Sequence, residues 1–166
     1  RRIRGDAGTL CSPMRLVRSL PARFDRPLSI AIGNFDGIHR GHRALLAATR
    51  EPGTTPAMMF FEPLPMTFPR PDRPVPRVMK LRDRIDVATA LGIEVLIRCR
   101  FTEAFSRLTP AAFARDVLAA GCRASRVVVG PDFRFGHRAA GDVNELRALG
   151  QRFGFETTVV DTVTDN

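Results

Sequence analysis

The chain has 166 residues, 44% of them hydrophobic, a mean hydropathy of −0.08 and a formal charge of +9 at pH 7. That length suits one α/β domain with a real core, and no apolar run is long enough to span a bilayer, so a membrane partner is not expected. The basic balance invites a nucleic-acid partner, but Lys80 is the only lysine and the arginines are scattered along the chain rather than gathered in one run. No nucleic acid is therefore expected, although the net charge would still steer anionic small molecules. Three cysteines, Cys11, Cys99 and Cys122, show no Cys-x-x-Cys spacing, which points to a reducing, cytoplasmic setting and away from structural zinc.

Residues 1–13 are arginine-rich and poor in acids, like a transit peptide, but lack the apolar core of a secretory signal. They read as a disordered or non-native leader, with Met14 as the natural start. From there apolar runs alternate with helix-like runs. Strands are predicted at 28–34, 56–61, 94–99, 126–131 and 155–160, and helices at 40–50, 80–91, 110–120 and 142–153. Leu81, Ile85, Ala88 and Leu91 recur at helical spacing until Gly92 stops the run. Thr109-Pro110 supplies a cap and a first-turn proline, and Asp142 can cap the last helix. Continuous apolar strands are those of a buried parallel sheet. The rhythm predicts a Rossmann-like, doubly wound α/β fold with helices on both faces. Residues 62–78 carry six prolines and no period; a loop of that length after the second strand is expected to be functional.

The most informative stretch is Gly33-Asn34-Phe35-Asp36-Gly37-Ile38-His39-Arg40-Gly41-His42. An apolar strand breaks there at glycines and opens into a helix. Exposed N–H groups and the helix dipole favour an anion at such a turn. His39 and His42, three apart, can face the same side. The pattern of Gly, Phe, Asp and His at these spacings arises by chance on the order of 10⁻⁹ per start site. Its chemistry suits a polyphosphate. His39 and His42 are assigned to the phosphates as the catalytic pair, with Gly33, Asn34 and Phe35 giving backbone contacts. Gly37 and Gly41 allow close approach of the backbone. Asp36 either forms the turn or touches the nucleotide or Mg²⁺. In open α/β sheets ligands bind beyond the carboxyl ends of the strands. This turn, the proline-rich loop and Gly130-Pro131-Asp132-Phe133 all fall at such ends.

The Gly-Asn-Phe-Asp-Gly-x-His-Arg-Gly-His segment resembles the His-x-Gly-His nucleotidyltransferases. Among them it is similar to the FMN adenylyltransferase (FAD synthetase) module of bacterial bifunctional riboflavin kinase/FMN adenylyltransferase. Phe61-Glu62-Pro63-Leu64-Pro65 with Phe68 resembles that family's Phe-x-Pro-x-Pro stretch. Val129-Gly130-Pro131-Asp132-Phe133-Arg134-Phe135-Gly136 with Gly141 resembles its Val-Gly-x-Asp-Phe-Arg-Phe-Gly stretch. Leu108-Thr109-Pro110 with Phe113 matches a helix start, and order and spacing agree from about Met14 onward.

The resemblance implies adenylyl transfer from ATP to FMN, giving FAD and pyrophosphate, with Mg²⁺ expected alongside ATP and metal ligands left open. It implies that Asp132 reads the nucleotide or the flavin. Pro63 and Pro65 belong to the flavin side, and Phe68, Phe133 and Phe135 either line an apolar flavin pocket or simply pack in the core. Arg134 and Arg138 either meet phosphate or flavin, or are solvated. Two departures stand out. Leu64 replaces a residue that is often His or Gln. The chain also ends at Asp165-Asn166, before the Ser-Ser-Thr-x-Arg type motif the family carries next. The expectation is thus an adenylyltransferase domain over 14–166, cut short of its last phosphate-binding element, with a riboflavin kinase module downstream in the full-length protein. The alternatives are another His-x-Gly-His nucleotidyltransferase acting on a different phosphate, or a non-catalytic basic nucleotide- or nucleic-acid-binding domain.

Overall fold

The computed structural model describes residues 14–35, 37–38, 40–65 and 79–161. These form one parallel sheet of six strands: β1 (Arg15–Val17), β2 (Leu28–Ile32), β3 (Thr55–Glu62), β4 (Val95–Arg100), β5 (Ala124–Val129) and β6 (Glu156–Val159), in the order β1-β4-β3-β2-β5-β6. The helices between them are α1 (Arg40–Ala47), α2 (Leu81–Ala90), α3 (Glu103–Ser106), α4 (Pro110–Ala112) and α5 (Val143–Phe153). All five predicted strands and all four predicted helices are present. Strand β1 has no counterpart among the predicted strands; at three residues it is too short to show a period.

The inner strands are largely apolar on both faces because helices cover both. Successive side chains on a strand point to opposite sides. Ile30, Ile32, Met59, Phe61, Ile97, Val127 and Val129 meet Phe113, Val117, Leu118, Leu146 and Leu149 on one face. Ala31, Met58, Phe60, Leu96 and Val128 meet Leu45, Leu46 and Ala88 on the other. Caps start the helices where the sequence placed them. The Thr109 hydroxyl accepts from the Ala112 N–H at 3.1 Å, and the Asp142 carboxylate accepts from the Glu145 N–H at 2.9 Å. Beyond α4 the coil continues as a π-helix from Phe113 to Gly121. Its wider winding still buries Phe113, Ala114, Val117 and Leu118.

Topology positions the site. From β2 the chain moves outward to β3 and β4, then returns to the other side of β2 as β5 and β6. The winding therefore reverses between β2 and β5, and the crevice beyond their carboxyl ends is the ligand position of this fold. Strand β2 stops at Ile32, opposite Met59, while β3 continues through Phe60, Phe61 and Glu62, paired to Arg98, Cys99 and Arg100 of β4. The taller β3–β4 pair makes one wall of that crevice.

Candidate active site

The turn after β2 occupies the crevice. Gly33 continues the ladder by donating to Met59 O at 3.2 Å; Asn34 is exposed and Gly37 and Ile38 are half-buried. Phe35 is different: its ring is fully buried, and its φ of 47° lies in the left-handed region. Its carbonyl is already taken, accepting from Arg84 Nε at 3.1 Å. Phe35 is thus an anchor of the turn. Gly37, with φ at 92°, bends the chain back where an L side chain would be strained. Gly41 is buried in the first turn of α1. The half-buried His42 has its Nδ1 2.9 Å from Gly37 O, and its ring centroid lies 5.1 Å from that of Phe35. Asp36 and His39, the other two side chains assigned to this turn, lie outside the described residues, as do Phe68 and most of the proline-rich loop.

The second feature is a cavity of about 570 Å³ on the α5 side of the sheet. Its apolar wall is Phe61, Phe101, Phe105, Phe113 and Phe135. Adjacent rings meet at centroid distances of 5.5 Å (Phe101–Phe105), 6.0 Å (Phe61–Phe105) and 5.8 Å (Phe113–Phe135). Pro65, Arg134 and Arg138 also face this space. The volume and mixed lining suit a flat, largely apolar ligand with a few polar edges.

The wall after β5 is held by a small closed loop. Phe135 and Gly141 exchange backbone hydrogen bonds at 3.1 and 2.8 Å, and residues 137–139 between them form a tight turn. Gly136, at φ 80°, is required there. A Cβ on it would sit 2.7 Å from Pro110 Cγ. Arg138 and Ala139 adopt φ of 56° and 54°, left-handed values for non-glycine residues beside the cavity. Phe133 stacks on Phe135 at 5.7 Å with planes 9° apart, so it supports the cavity wall from behind. Asp132 is exposed at the crevice. Pro63 is not part of the aromatic cavity; it lines a separate space with Arg18, Glu62, Arg98 and Arg100. Leu64 is buried, which accounts for an apolar residue at that position.

Sequence reading misses two things. Phe101 and Phe105 close the cavity from the segment after β4, and only their recurrence with Phe113 hints at a shared surface. Arg84 draws no notice inside α2, although it lies three residues after Leu81 on the helix's apolar stripe. Cys99, expected in the core, is buried there; burial pushes its thiol up to about 12 and raises that of Cys122 as well. Among the described residues no group of three or more His, Cys, Asp and Glu side chains could hold a metal ion, and no helix is long and apolar enough to cross a membrane.

A strand–turn–helix at the switch point of a doubly wound parallel sheet gives the chain a Rossmann-like α/β fold. Solved structures share this fold: a Streptococcus pneumoniae protein described as a macrolide-efflux protein (TM-score 0.78, 22% identity, 92% of this chain and 53% of the other), and pantothenate synthetase from Thermus thermophilus (TM-score 0.62, 19% identity, 92% and 63%). Residues 22–166 match the FAD synthetase family, and the chain belongs to it. The bifunctional riboflavin kinase/FMN adenylyltransferase of Escherichia coli K12 is 36% identical over 156 residues, and that of Pseudomonas fluorescens 34% identical over 158 residues. Each alignment covers 90% of this chain and 50% of the relative, so the chain spans about half the length of the curated relatives it matches.

Proposed function

We propose that this chain transfers the adenylyl group of ATP to the phosphate of FMN, releasing pyrophosphate and leaving FAD. One observation supports the reading beyond family membership: the aromatic cavity and the β2–α1 turn are both built from residues at the carboxyl ends of the strands of one sheet. The cavity lies on the α5 side, and the turn leads into α1 on the other. A flavin in the cavity and a triphosphate at α1 would bring their phosphates together over Gly33 and Asn34.

The chemistry needs alignment and charge stabilisation. An FMN phosphate oxygen, already anionic at neutral pH, attacks the α-phosphorus of ATP. The new P–O bond forms as the bond between the α-phosphorus and the bridging oxygen to the β-phosphorus breaks. Pyrophosphate carries away the electron pair. Preorganised donors at the turn meet the charge on the departing group. We assign this role to His42, with His39 its sequence partner. Mg²⁺ would arrive with the triphosphate as part of the substrate. In this reading Asp132, Arg134 and Arg138 read the flavin or its phosphate, while Phe135, Phe133 behind it and Pro65 form the apolar side; Pro63 flanks that side from the neighbouring space.

Riboflavin kinase activity, in the same polypeptide or another, would supply FMN. Cys99 and Cys122 are free thiols, in keeping with a cytoplasmic location. The test is incubation of the purified protein with ATP, FMN and Mg²⁺, following FAD by chromatography and pyrophosphate by a coupled assay. Stoichiometric appearance of both is expected. Transfer to nicotinamide mononucleotide or phosphopantetheine with none to FMN would overturn the assignment.

A further inference from the structure

We infer that Arg84 is a positioning residue for the nucleotide turn: it fixes the course of the chain at Phe35 and, through Phe35, the seat of the His42 imidazole. The inference rests on the adenylyltransferase reading above. Arg84 stands in α2 and is fully buried. A buried guanidinium is costly unless its donors are used, and here they reach two separate segments. Nε donates to Phe35 O at 3.1 Å, and Nη2 donates to Met79 O at 2.9 Å. The guanidinium carbon also lies 4.5 Å from the centroid of Phe60, on β3. One side chain thus pins the turn after β2, the entry to α2 and the sheet to a common point.

The contact at Phe35 is where rigidity matters. A non-glycine residue at φ 47° holds that conformation only when its surroundings impose it. The ring buried among Ala31, Leu46 and Phe60 secures one end of the residue, and the Arg84 hydrogen bond secures its carbonyl. The Phe35 ring in turn packs on the His42 ring, whose Nδ1 donates to Gly37 O. A contiguous path of contacts therefore runs from Arg84 to the imidazole. Lysine is a poorer replacement, because its ammonium has three donors but no planar fork to hold two carbonyls in one plane while stacking on an aromatic face.

The test compares Arg84→Lys, Arg84→Met and, as a stability control in the same buried face of α2, Ala88→Gly. Melting temperature, kcat, and KM for ATP and for FMN are measured, and the His42 tautomer is read by long-range ¹⁵N–¹H NMR. A misplaced catalytic turn costs about 10²-fold in rate. Arg84→Met is expected to lower kcat by about that factor and raise the KM for ATP, with the KM for FMN within twofold. Arg84→Lys should recover only part of the loss. The control, at a matched loss of melting temperature, should keep kcat within about twofold. The Nδ1–H form of His42 should dominate in the parent protein and give way in Arg84→Met to the Nε2–H form that free imidazoles favour. If Arg84→Met does not fold, Arg84→Lys decides by the same readouts. Parent-like kcat with a parent-like tautomer in a folded variant would overturn the inference, as would a kcat loss no greater than the control's. Should the parent protein make no FAD while the tautomer still responds to Arg84, the functional reading falls and the positioning role stands.

Discussion

The Nδ1 nitrogen of His42 donates to the carbonyl oxygen of Gly37 across 2.9 Å. A carbonyl only accepts, so Nδ1 carries the proton in the neutral ring and Nε2 is the nitrogen that gains one when the ring becomes a cation. The ring is thereby fixed in orientation, with its titrating nitrogen directed away from the Gly37 carbonyl. This is the arrangement wanted where negative charge develops on a departing pyrophosphate.

His42→Asn separates the two ends of that ring. The shorter amide keeps a donor in the region of Nδ1 and removes Nε2. Removal of one oriented donor at a transition state costs about 10²–10³-fold in kcat, and that loss is expected with a melting temperature close to the parent's. His42→Ala removes both functions and should also loosen the turn, raising the KM for ATP. Parent-like kcat in His42→Asn would remove His42 from the chemistry.

The cavity makes a different prediction. Phe105 is its hub, with ring centroids 6.0 Å from Phe61, 5.5 Å from Phe101 and 6.1 Å from Phe113. Phe105→Ala opens the wall without touching the β2–α1 turn. The KM for FMN should rise at least tenfold, the loss of roughly 1.4 kcal/mol or more of apolar and aromatic contact. The KM for ATP should hold. A change confined to ATP, measured in the same steady-state assay, would move the flavin elsewhere.

The parts legible in the sequence and the parts that are not divide on physical grounds. Strands β2 to β5 can be read because a parallel sheet covered on both faces leaves apolar runs, as in Val127-Val128-Val129. Thr109 and Asp142 can be read because a cap is a local device that depends on residues three positions away. The β2–α1 turn is found because its constraints lie within ten consecutive residues. The cavity is only partly so: the resemblance points to Pro65 and Phe135, whereas Phe61, Phe101, Phe105 and Phe113 come from separate segments that only tertiary packing brings together. Arg84 is hidden for the opposite reason. Its neighbours Leu81, Ile85 and Ala88 mark an apolar face, and a charge on such a face reads as an interruption until its acceptors, Phe35 O and Met79 O, are in place. Nor does a sequence announce left-handed conformations at Arg138 and Ala139, which their own residue types disfavour.

The 135–141 loop gives stability predictions of both signs. A left-handed φ costs an L residue about 1–2 kcal/mol relative to glycine, so Ala139→Gly should stabilise the fold by up to about 1 kcal/mol, offset in part by the freer unfolded chain. Gly136→Ala should do the reverse and by more. It meets both a φ of 80° and a Cβ position 2.7 Å from Pro110 Cγ. Thermal melts of the two variants should straddle the parent, and a melting temperature for Gly136→Ala at or above the parent's would show that the 135–141 loop repacks freely.

The final prediction concerns pH and uses the two buried thiols. Burial pushes the Cys99 thiol from 9.0 up to about 12 in the folded chain, and it raises Cys122 as well, with Cys99 adding to the shift. In the unfolded chain both ionise near their ordinary value. Above about pH 9 the unfolded state therefore binds fewer protons than the folded one, and stability must fall as pH rises. The contribution is fully present below about pH 9 and is lost progressively toward about pH 12, with a limiting slope of about 1.4 kcal/mol per pH unit for each thiol. The sequence makes this readable, because it has no tyrosine, a single lysine, Lys80, and a single further cysteine, Cys11. Urea unfolding at pH 8.0 and pH 10.5 should show a large alkaline loss of stability in the parent. A Cys99→Ala, Cys122→Ala double variant, less stable at pH 8.0 through the lost packing, should show a much smaller loss between the two pH values. An equal alkaline loss in both proteins would mean that the thiols are not the groups responsible, and that they ionise in the folded chain as readily as in the unfolded one.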